Sequence, residues 1–293
     1  MTQGGRTWPK NWYSGYRGHM TLRTAVEQSV NVCAVKTYQQ VGPEFTIEQL
    51  KKMGITTVVE DKDGANDLNP AALALGGMTK GVSPLEMAAA YGIFPNEGLY
   101  TEPVAYTKIT NSNDEIILEK TPETTEVLNE GVAFIMRDIL RSVVTNGLGS
   151  TASFGGQPVC GKTGTTNDNF DAWFVGFTPQ YSCAVWLGND INIELTQGSA
   201  SAARLWRTIM SKVCAGLPYG QYPSKPSNVE SINGEYYIKG TYSKVALPTS
   251  ETETSSEIPT TTVPTTTVPS SSEPTTPTSS PTDPVTPIIL EDD

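Results

Sequence analysis

The sequence predicts an α+β fold in which helices pack on an antiparallel sheet. Three short strand patterns, PVCGKTGTT, DAWFVGF and YSCAVWLG, follow one another across the tight turns NDN and TPQ. Connections that short join antiparallel neighbours only. Segments of helical period lie before and after these strands, so helices and sheet are segregated along the chain. The 293 residues suffice for one good-sized domain with additions, and they contain no internal repeat.

In chain order, TLRTAVEQSVNVCAVKTYQQVG reads as one helix from a Thr21 cap to Gly42-Pro43, with Leu22, Ala25, Val26 and Ser29 on one face. FTIEQLKKMG is a short amphipathic segment ending at Gly54. SPLEMAAAYGIF opens on a capping box: Ser83, Pro84 at the first helical position, and Glu86 three residues after the cap. PVAYTKIT and EIILEK flank NSND, a hairpin signal. NEGVAFIMRDILRSVVTNG places Val132, Ile135, Met136, Ile139, Leu140 and Val143 at helical spacing and stops at Gly147. After the three strands, SASAARLWRTIMSKVCAG does the same with Ala202, Leu205, Trp206, Ile209 and Val213.

Composition changes abruptly near Pro248. Residues 249–293 are mostly Thr, Ser, Pro and Val, with eight carboxylates and no Lys or Arg. The net charge of −11 therefore divides into −8 for this tail and −3 for residues 1–248. The tail has no aromatics and cannot bury enough apolar surface to offset its ordering entropy, so it is expected to be disordered, like an extracellular stalk. The near-neutral folded part gives no sign of a nucleic-acid partner. Residues 219–248 read as a small strand-rich extension between residues 1–218 and the tail. Cys33, Cys160, Cys183 and Cys214 form no C-x-x-C pair, and His19 is the only histidine. A zinc site and a Ser-His-Asp triad are both disfavoured, and buried free thiols are the default. No apolar run reaches the length of a membrane span, and no signal peptide opens the chain.

Gly156–Asp168, GQPVCGKTGTTND, satisfies two motifs at once. Gly156–Thr163 fits the phosphate-loop pattern G-x-x-x-x-G-K-T. That loop requires a buried strand leading in and a helix starting at the Lys-Thr. Here the lead-in TNGLGSTASFGG is not apolar, Pro158 removes an amide donor, and GTTNDNF cannot start a helix. Lys162–Thr165 also reads K-T-G-T, a substrate-binding edge strand. In that reading Gly164 admits a close approach, the Thr163 and Thr165 hydroxyls meet a carboxylate, and Lys162 supplies a cation beside an acyl-transfer centre. A bare K-T-G is equally a strand lysine with its head in solvent.

The surroundings decide between them. GKTGTTNDNFDAWFVGFTPQYSCAVWLGND resembles the transpeptidase domain of bacterial class A penicillin-binding proteins. So does GHMTLRTAVEQSVNVCAVKTYQQVG, with the family's Ser-x-Asn motif as Ser29-Val30-Asn31, and so do LALGGMTKGVSPLEMAAAYGIFPNEGLYTEPVAYTKIT and GSASAARLWRTIM. The resemblance spans roughly residues 6–218. It implies a β-lactamase/DD-peptidase-like antiparallel sheet flanked by helices, with Ser-x-Asn at a break between two helices. It implies a serine acyl transfer in which an S-x-x-K serine attacks the D-Ala-D-Ala bond of a peptidoglycan stem. The acyl group then passes to an amine of a neighbouring stem, and β-lactams acylate the same serine. By resemblance, Ser29 relays a proton between the motif lysines, and the Asn31 amide holds the acyl-side backbone of the substrate. Lys162 charges the network, and Thr163 and Thr165 bind the carboxylate. The Thr165 N–H completes an oxyanion hole, where one lost donor typically costs about 3–4 kcal/mol of barrier. Asp171 and Trp173 read as structural or cleft-lining. No cofactor is implied. The implied partners are stem peptides, lipid-linked precursors, β-lactams and other cell-wall synthesis proteins, at the outer face of the cytoplasmic membrane.

One motif is missing, because no S-x-x-K occurs anywhere in the sequence. Ser29 is followed by Val-Asn-Val. In the family the nucleophile stands some tens of residues upstream of Ser-x-Asn. The favoured expectation is a truncated product or misplaced start whose nucleophile, glycosyltransferase domain and membrane anchor precede Met1, inactive alone. The alternatives are a non-catalytic peptidoglycan-binding or scaffold module, and an enzyme using another nucleophile such as Ser29.

Overall fold

The structure, a computed structural model, describes residues 2–3, 6–61, 64–166 and 168–242. The Thr/Pro/Ser-rich tail and the last six residues of the expected extension lie outside the described residues. In chain order, β1 (Thr2–Gln3) and β2 (Arg6–Thr7) pair antiparallel. Five helices come next: α1 (Leu22–Glu27), α2 (Asn31–Val41), α3 (Pro43–Lys52), α4 (Pro70–Leu73) and α5 (Pro84–Tyr91). β3 (Leu99–Thr101) pairs with β6 (Thr124–Glu126) across the hairpin of β4 (Lys108–Thr110) and β5 (Ile116–Glu119). α6 (Glu130–Thr145) leads to the central sheet of β7 (Cys160–Thr165), β8 (Ala172–Phe177) and β9 (Ser182–Leu187). These three are antiparallel in the order β7-β8-β9, as the turn lengths predict. α7 (Ser199–Val213) returns over the sheet, and β10 (Val229–Ile232) with β11 (Glu235–Ile238) closes the described chain as a hairpin.

The core sits between the sheet and its helices. α7 lays Trp206, which has no exposed surface, against Phe174 of β8, the ring centroids 5.1 Å apart. Val144, Ala152, Val159, Val185, Ala202, Ala203 and Met210 fill in around them. Gly176 makes room, since a Cβ there would stand 2.8 Å from the Cys160 carbonyl and 3.2 Å from the Trp206 ring. α6 packs on the strand β7 and on α1. Arg23 of α1 donates to Asp138 of α6 at 2.7 Å and to Glu235 of β11 at 2.8 Å, tying the terminal hairpin to the helical layer. All four cysteines are free thiols.

Two helical faces differ from their periodic reading. On α7, Leu205, Ile209 and Val213 are 43, 38 and 46 % exposed, while Ala202, Ala203, Trp206 and Met210 are buried. The sheet is met by the i, i+4, i+8 ridge centred on Trp206, and the ridge one residue back is turned about 100° away from it. On α6 the buried set is Gly131, Ala133, Ile139, Leu140, Ser142, Val143 and Val144 together with Arg137, whereas Val132, Ile135 and Met136 are only half-buried. A charged residue on the inner face is invisible to a search for apolar spacing.

The capping box of α5 forms in full. The Ser83 hydroxyl accepts from the Glu86 N–H at 3.2 Å, and the Glu86 carboxylate accepts from the Ser83 N–H at 2.9 Å. Glu86 also accepts from the Thr56 N–H and hydroxyl at 2.9 and 2.7 Å, so the cap latches a neighbouring loop. Burial alone would raise the Glu86 carboxyl; the bonds from Ser83 and Thr56 outweigh it and hold it at about 2. Their stabilisation is therefore complete above the ordinary carboxyl range and lost as pH falls toward 2. Ser83→Ala is expected to cost about 1 kcal/mol in thermal or urea unfolding at pH 7, with a change below about 0.3 kcal/mol arguing that the cap is dispensable.

Candidate active site

β7 lies at one side of its sheet, paired with β8 but with no second partner among the described strands. Its register sets Lys162 opposite Val175, Thr163 opposite Phe174, Gly164 opposite Trp173 and Thr165 opposite Ala172. The alternation of a strand puts Lys162 and Gly164 on one face, and Thr163 and Thr165 on the other. The strand continues to Thr165, so no helix begins at Lys162-Thr163 and the phosphate-loop pattern has no structural counterpart.

The helix predicted to run from Thr21 to Gly42 is broken at Ser29, which lies in the left-handed region at φ 50°. α1 ends in a Schellman motif: the Val30 N–H donates to the Ala25 carbonyl at 2.9 Å, and the Ser29 N–H to Val26 at 3.2 Å. Ala25 and Val30, the positions where this motif carries its apolar pair, are both buried. The left-handed position of this motif is usually glycine. Here it is serine, so the residue that ordinarily signals the stop is missing and the apolar period runs through it. The break agrees with the one the family resemblance implies.

The break turns Ser29 toward β7. Lys162 Nζ donates to Ser29 Oγ at 2.8 Å and to the Thr163 carbonyl at 2.8 Å, joining residues 133 positions apart in the sequence. Burial lowers the Lys162 ammonium to about 8. Both protonation states are therefore accessible near neutral pH, as suits a group that holds charge and exchanges a proton. The pair opens on a cleft of about 1070 Å³ lined by Asn31, Thr163, Gly164 and Thr165 among others. Of the six residues picked out from the sequence, Ser29, Asn31, Thr163, Gly164 and Thr165 line this one cleft, and Lys162 stands behind it, joined to it through Ser29. Thr163 is 8 % exposed, and Gly164 faces a side chain, with Trp173 Cβ 3.3 Å from where its own Cβ would stand. Asp171 accepts from the Trp186 indole N–H at 2.8 Å, a structural contact.

The segment Trp8–Trp12, which no sequence motif singles out, forms another wall of the cleft. Asn31 Nδ2 donates to the Lys10 carbonyl at 2.8 Å, the Val32 N–H donates to Asn11 Oδ1 at 3.3 Å, and the Trp12 indole N–H donates to the Gln28 carbonyl at 2.7 Å. These bonds hold the helix break from outside and fix the Asn31 carboxamide. Two tryptophans in a loop beside a proline are a weak signal of an ordered binding segment. Gly198, Ser199 and Ala200, at the start of α7, line the cleft as well. No group of three or more metal-ligating side chains occurs among the described residues, and no helix there is long and apolar enough to cross a membrane.

The chain matches the penicillin-binding protein transpeptidase domain over residues 1–211. It is 42 % identical over 228 residues to penicillin-binding protein 1A of Clostridium botulinum (strain Hall), covering 77 % of this chain and 27 % of that protein. To penicillin-binding protein 1A of Aquifex aeolicus it is 37 % identical over 230 residues, covering 77 and 30 %. The chain thus spans under a third of the length of these two curated relatives. The crystal structure of penicillin-binding protein 1A from Haemophilus influenzae superposes with a TM-score of 0.68 at 25 % identity, over 82 % of this chain and 43 % of that one. The domain match, the relatives and the fold agree, and the chain belongs to the penicillin-binding protein transpeptidase family.

Proposed function

We propose that this chain carries the substrate-binding and proton-relay half of a serine-type peptidoglycan D,D-transpeptidase. The observation that carries the reading is the Lys162–Ser29 contact at the head of a cleft walled by Thr163–Thr165 and Asn31. In the proposed reaction an S-x-x-K serine attacks the carbonyl between two terminal D-alanines, D-alanine leaves, and the acyl group passes to an amine on a second stem peptide. Lys162 and Ser29 carry the proton between nucleophile, leaving group and acceptor. The Lys162 charge and the Thr163 and Thr165 hydroxyls receive the terminal carboxylate, and the Thr165 N–H serves the oxyanion. Asn31, oriented by Lys10, holds the acyl-side backbone. The ligands are stem peptides, their lipid-linked precursors and β-lactams, at the outer face of the cytoplasmic membrane.

The sequence holds no S-x-x-K, so the 293-residue chain is proposed not to form an acyl-enzyme alone. A hydroxyl nucleophile needs an adjacent base, and Ser29 is followed by Val-Asn-Val rather than by the lysine an S-x-x-K serine carries three residues on. Incubation with a fluorescent penicillin, followed by a denaturing gel and peptide mapping, is expected to show no stoichiometric adduct. Joining the S-x-x-K segment of a relative upstream is expected to restore labelling on that serine. A stoichiometric adduct on Ser29 in the unmodified chain would make it the nucleophile and overturn the proposed division of roles. If the extended chain stayed unlabelled while still binding stem peptides, the non-catalytic binding-module reading would replace this one.

A further inference from the structure

A second cavity, of about 380 Å³, opens at the far end of β7, between α6 and the segment 219–225. It shares no lining residue with the cleft. Arg137 is its inner wall. This arginine is 6 % exposed, yet no carboxylate pairs with it among the described residues. Its guanidinium donates to the Pro223 carbonyl at 2.6 Å and lies 5.1 Å from the ring centres of both Phe134 and Tyr222. Buried arginines are ordinarily matched by an anion. A carbonyl and two aromatic faces leave most of the five guanidinium N–H groups without an acceptor.

The neighbouring charges do not supply one. Asp138, on the same cavity, pairs with Arg23 at 2.7 Å. Glu97 acts on Arg137 only at a distance. The Cys160 thiol in the floor is pushed by burial up to about 12 and stays neutral. Two further cations, Arg141 and Lys225, stand on the rim, both exposed and neither in an ion pair among the described residues, although the Lys225 ammonium donates to the Val229 carbonyl at 2.7 Å. The cavity therefore has three cations, one carboxylate already paired, and walls formed by Phe134, Tyr222 and Tyr236. Its volume is at the small end of ligand pockets.

We propose that this cavity is an anion-binding site, taking a small ligand whose carboxylate or phosphate meets Arg137 while an apolar or ring-shaped body lies against the aromatic walls. A guanidinium fork fits both oxyanions in bidentate fashion. The inference does not rest on the transpeptidase reading.

The test uses the full chain and three probes of one shape: phenyl phosphate, benzoate and neutral benzyl alcohol, titrated by calorimetry at low salt. Saturable binding of at least one anion, with benzyl alcohol at least tenfold weaker, is expected, and the preferred anion separates a phosphate from a carboxylate source. The double variant Arg141→Gln/Lys225→Gln removes both rim charges, its fold being checked by thermal unfolding because Lys225 also donates to the Val229 carbonyl, and it is expected to weaken anion binding about tenfold or more. Lys162→Met is expected to leave binding here unchanged, which separates this site from the carboxylate site of the cleft. Binding of neither anion, equal binding of benzyl alcohol, indifference to the double variant, or loss in Lys162→Met would each overturn the proposal.

Discussion

Lys162→Met is expected to weaken carboxylate recognition in the cleft and, at pH 7, to make the protein more stable. Both effects come from one largely buried ammonium. Removing a charged hydrogen-bond donor to a ligand carboxylate costs about 1.5–3 kcal/mol, so binding of a diacylated Lys-D-Ala-D-Ala peptide should weaken roughly 10- to 100-fold. Stability moves the other way because burial lowers this lysine from 10.5 to about 8. Below pH 8 folding must bury the charge. Between pH 8 and 10.5 the unfolded chain holds the proton and the folded one does not, so wild-type stability rises with pH across that window. The full difference is on the order of 3 kcal/mol, and methionine of similar length removes the penalty outright. Wild-type ligand binding should fall as pH rises through about 8, while the variant's residual binding stays flat. Thermal unfolding at pH 7 and pH 10 with calorimetric titration checks all of this. A variant less stable than the wild type at pH 7 would mean that Lys162 supports the fold through its bonds to Ser29 and Thr163 more than its burial opposes it.

How much of this was legible in the sequence depended on whether a residue's role showed in its neighbours along the chain. The β7-β8-β9 sheet was readable because its turns are too short for any other arrangement, and the α5 cap because Ser83, Pro84 and Glu86 each state their position. The Lys162–Thr165 strand could be placed by elimination, since the residues GTTNDNF after Lys162-Thr163 cannot begin a helix. The Lys162–Ser29 contact could not be read that way, because it joins residues 133 apart; only the family pattern put both in one site. The helix break was hidden by a serine in a glycine's place, and the outward ridge of α7 by apolar residues that satisfy the helical period without facing the sheet. Gly176 was equally silent: only the packed structure shows that its missing side chain is where Trp206 fits. Arg137 is the clearest case, a buried cation whose partners, Pro223 and Tyr222, come from a segment more than eighty residues on.

Trp206→Ala is expected to be the most destabilising single substitution in the described domain. Trp206 has no exposed surface, meets Phe174 edge-to-face and Phe154 at a tilt, and donates its indole N–H to the Cys183 carbonyl at 2.9 Å. Emptying so large a site costs roughly 3–5 kcal/mol, against a total stability of about 5–15 kcal/mol for a domain. The midpoint of thermal unfolding should fall by roughly 10 °C or more. Collapse into the cavity offers little relief, because Gly176 beneath the ring has no side chain to move and the facing backbone is tied into β7 and β9. Trp206→Phe keeps an aromatic face but loses the bond to Cys183, so about 1–3 kcal/mol is expected. The consequence reaches the cleft through the same helix. Ser199 and Ala200 line the cleft about two turns before Trp206 on α7, and Thr163 lies opposite Phe174 in the sheet that Trp206 packs on. The residue that holds the core therefore also holds two walls of the site in register. Loss of cleft binding should accordingly track loss of stability across the alanine and phenylalanine variants, and a Trp206→Ala protein within about 1 kcal/mol of wild type would show that α7 is held to the sheet by something else.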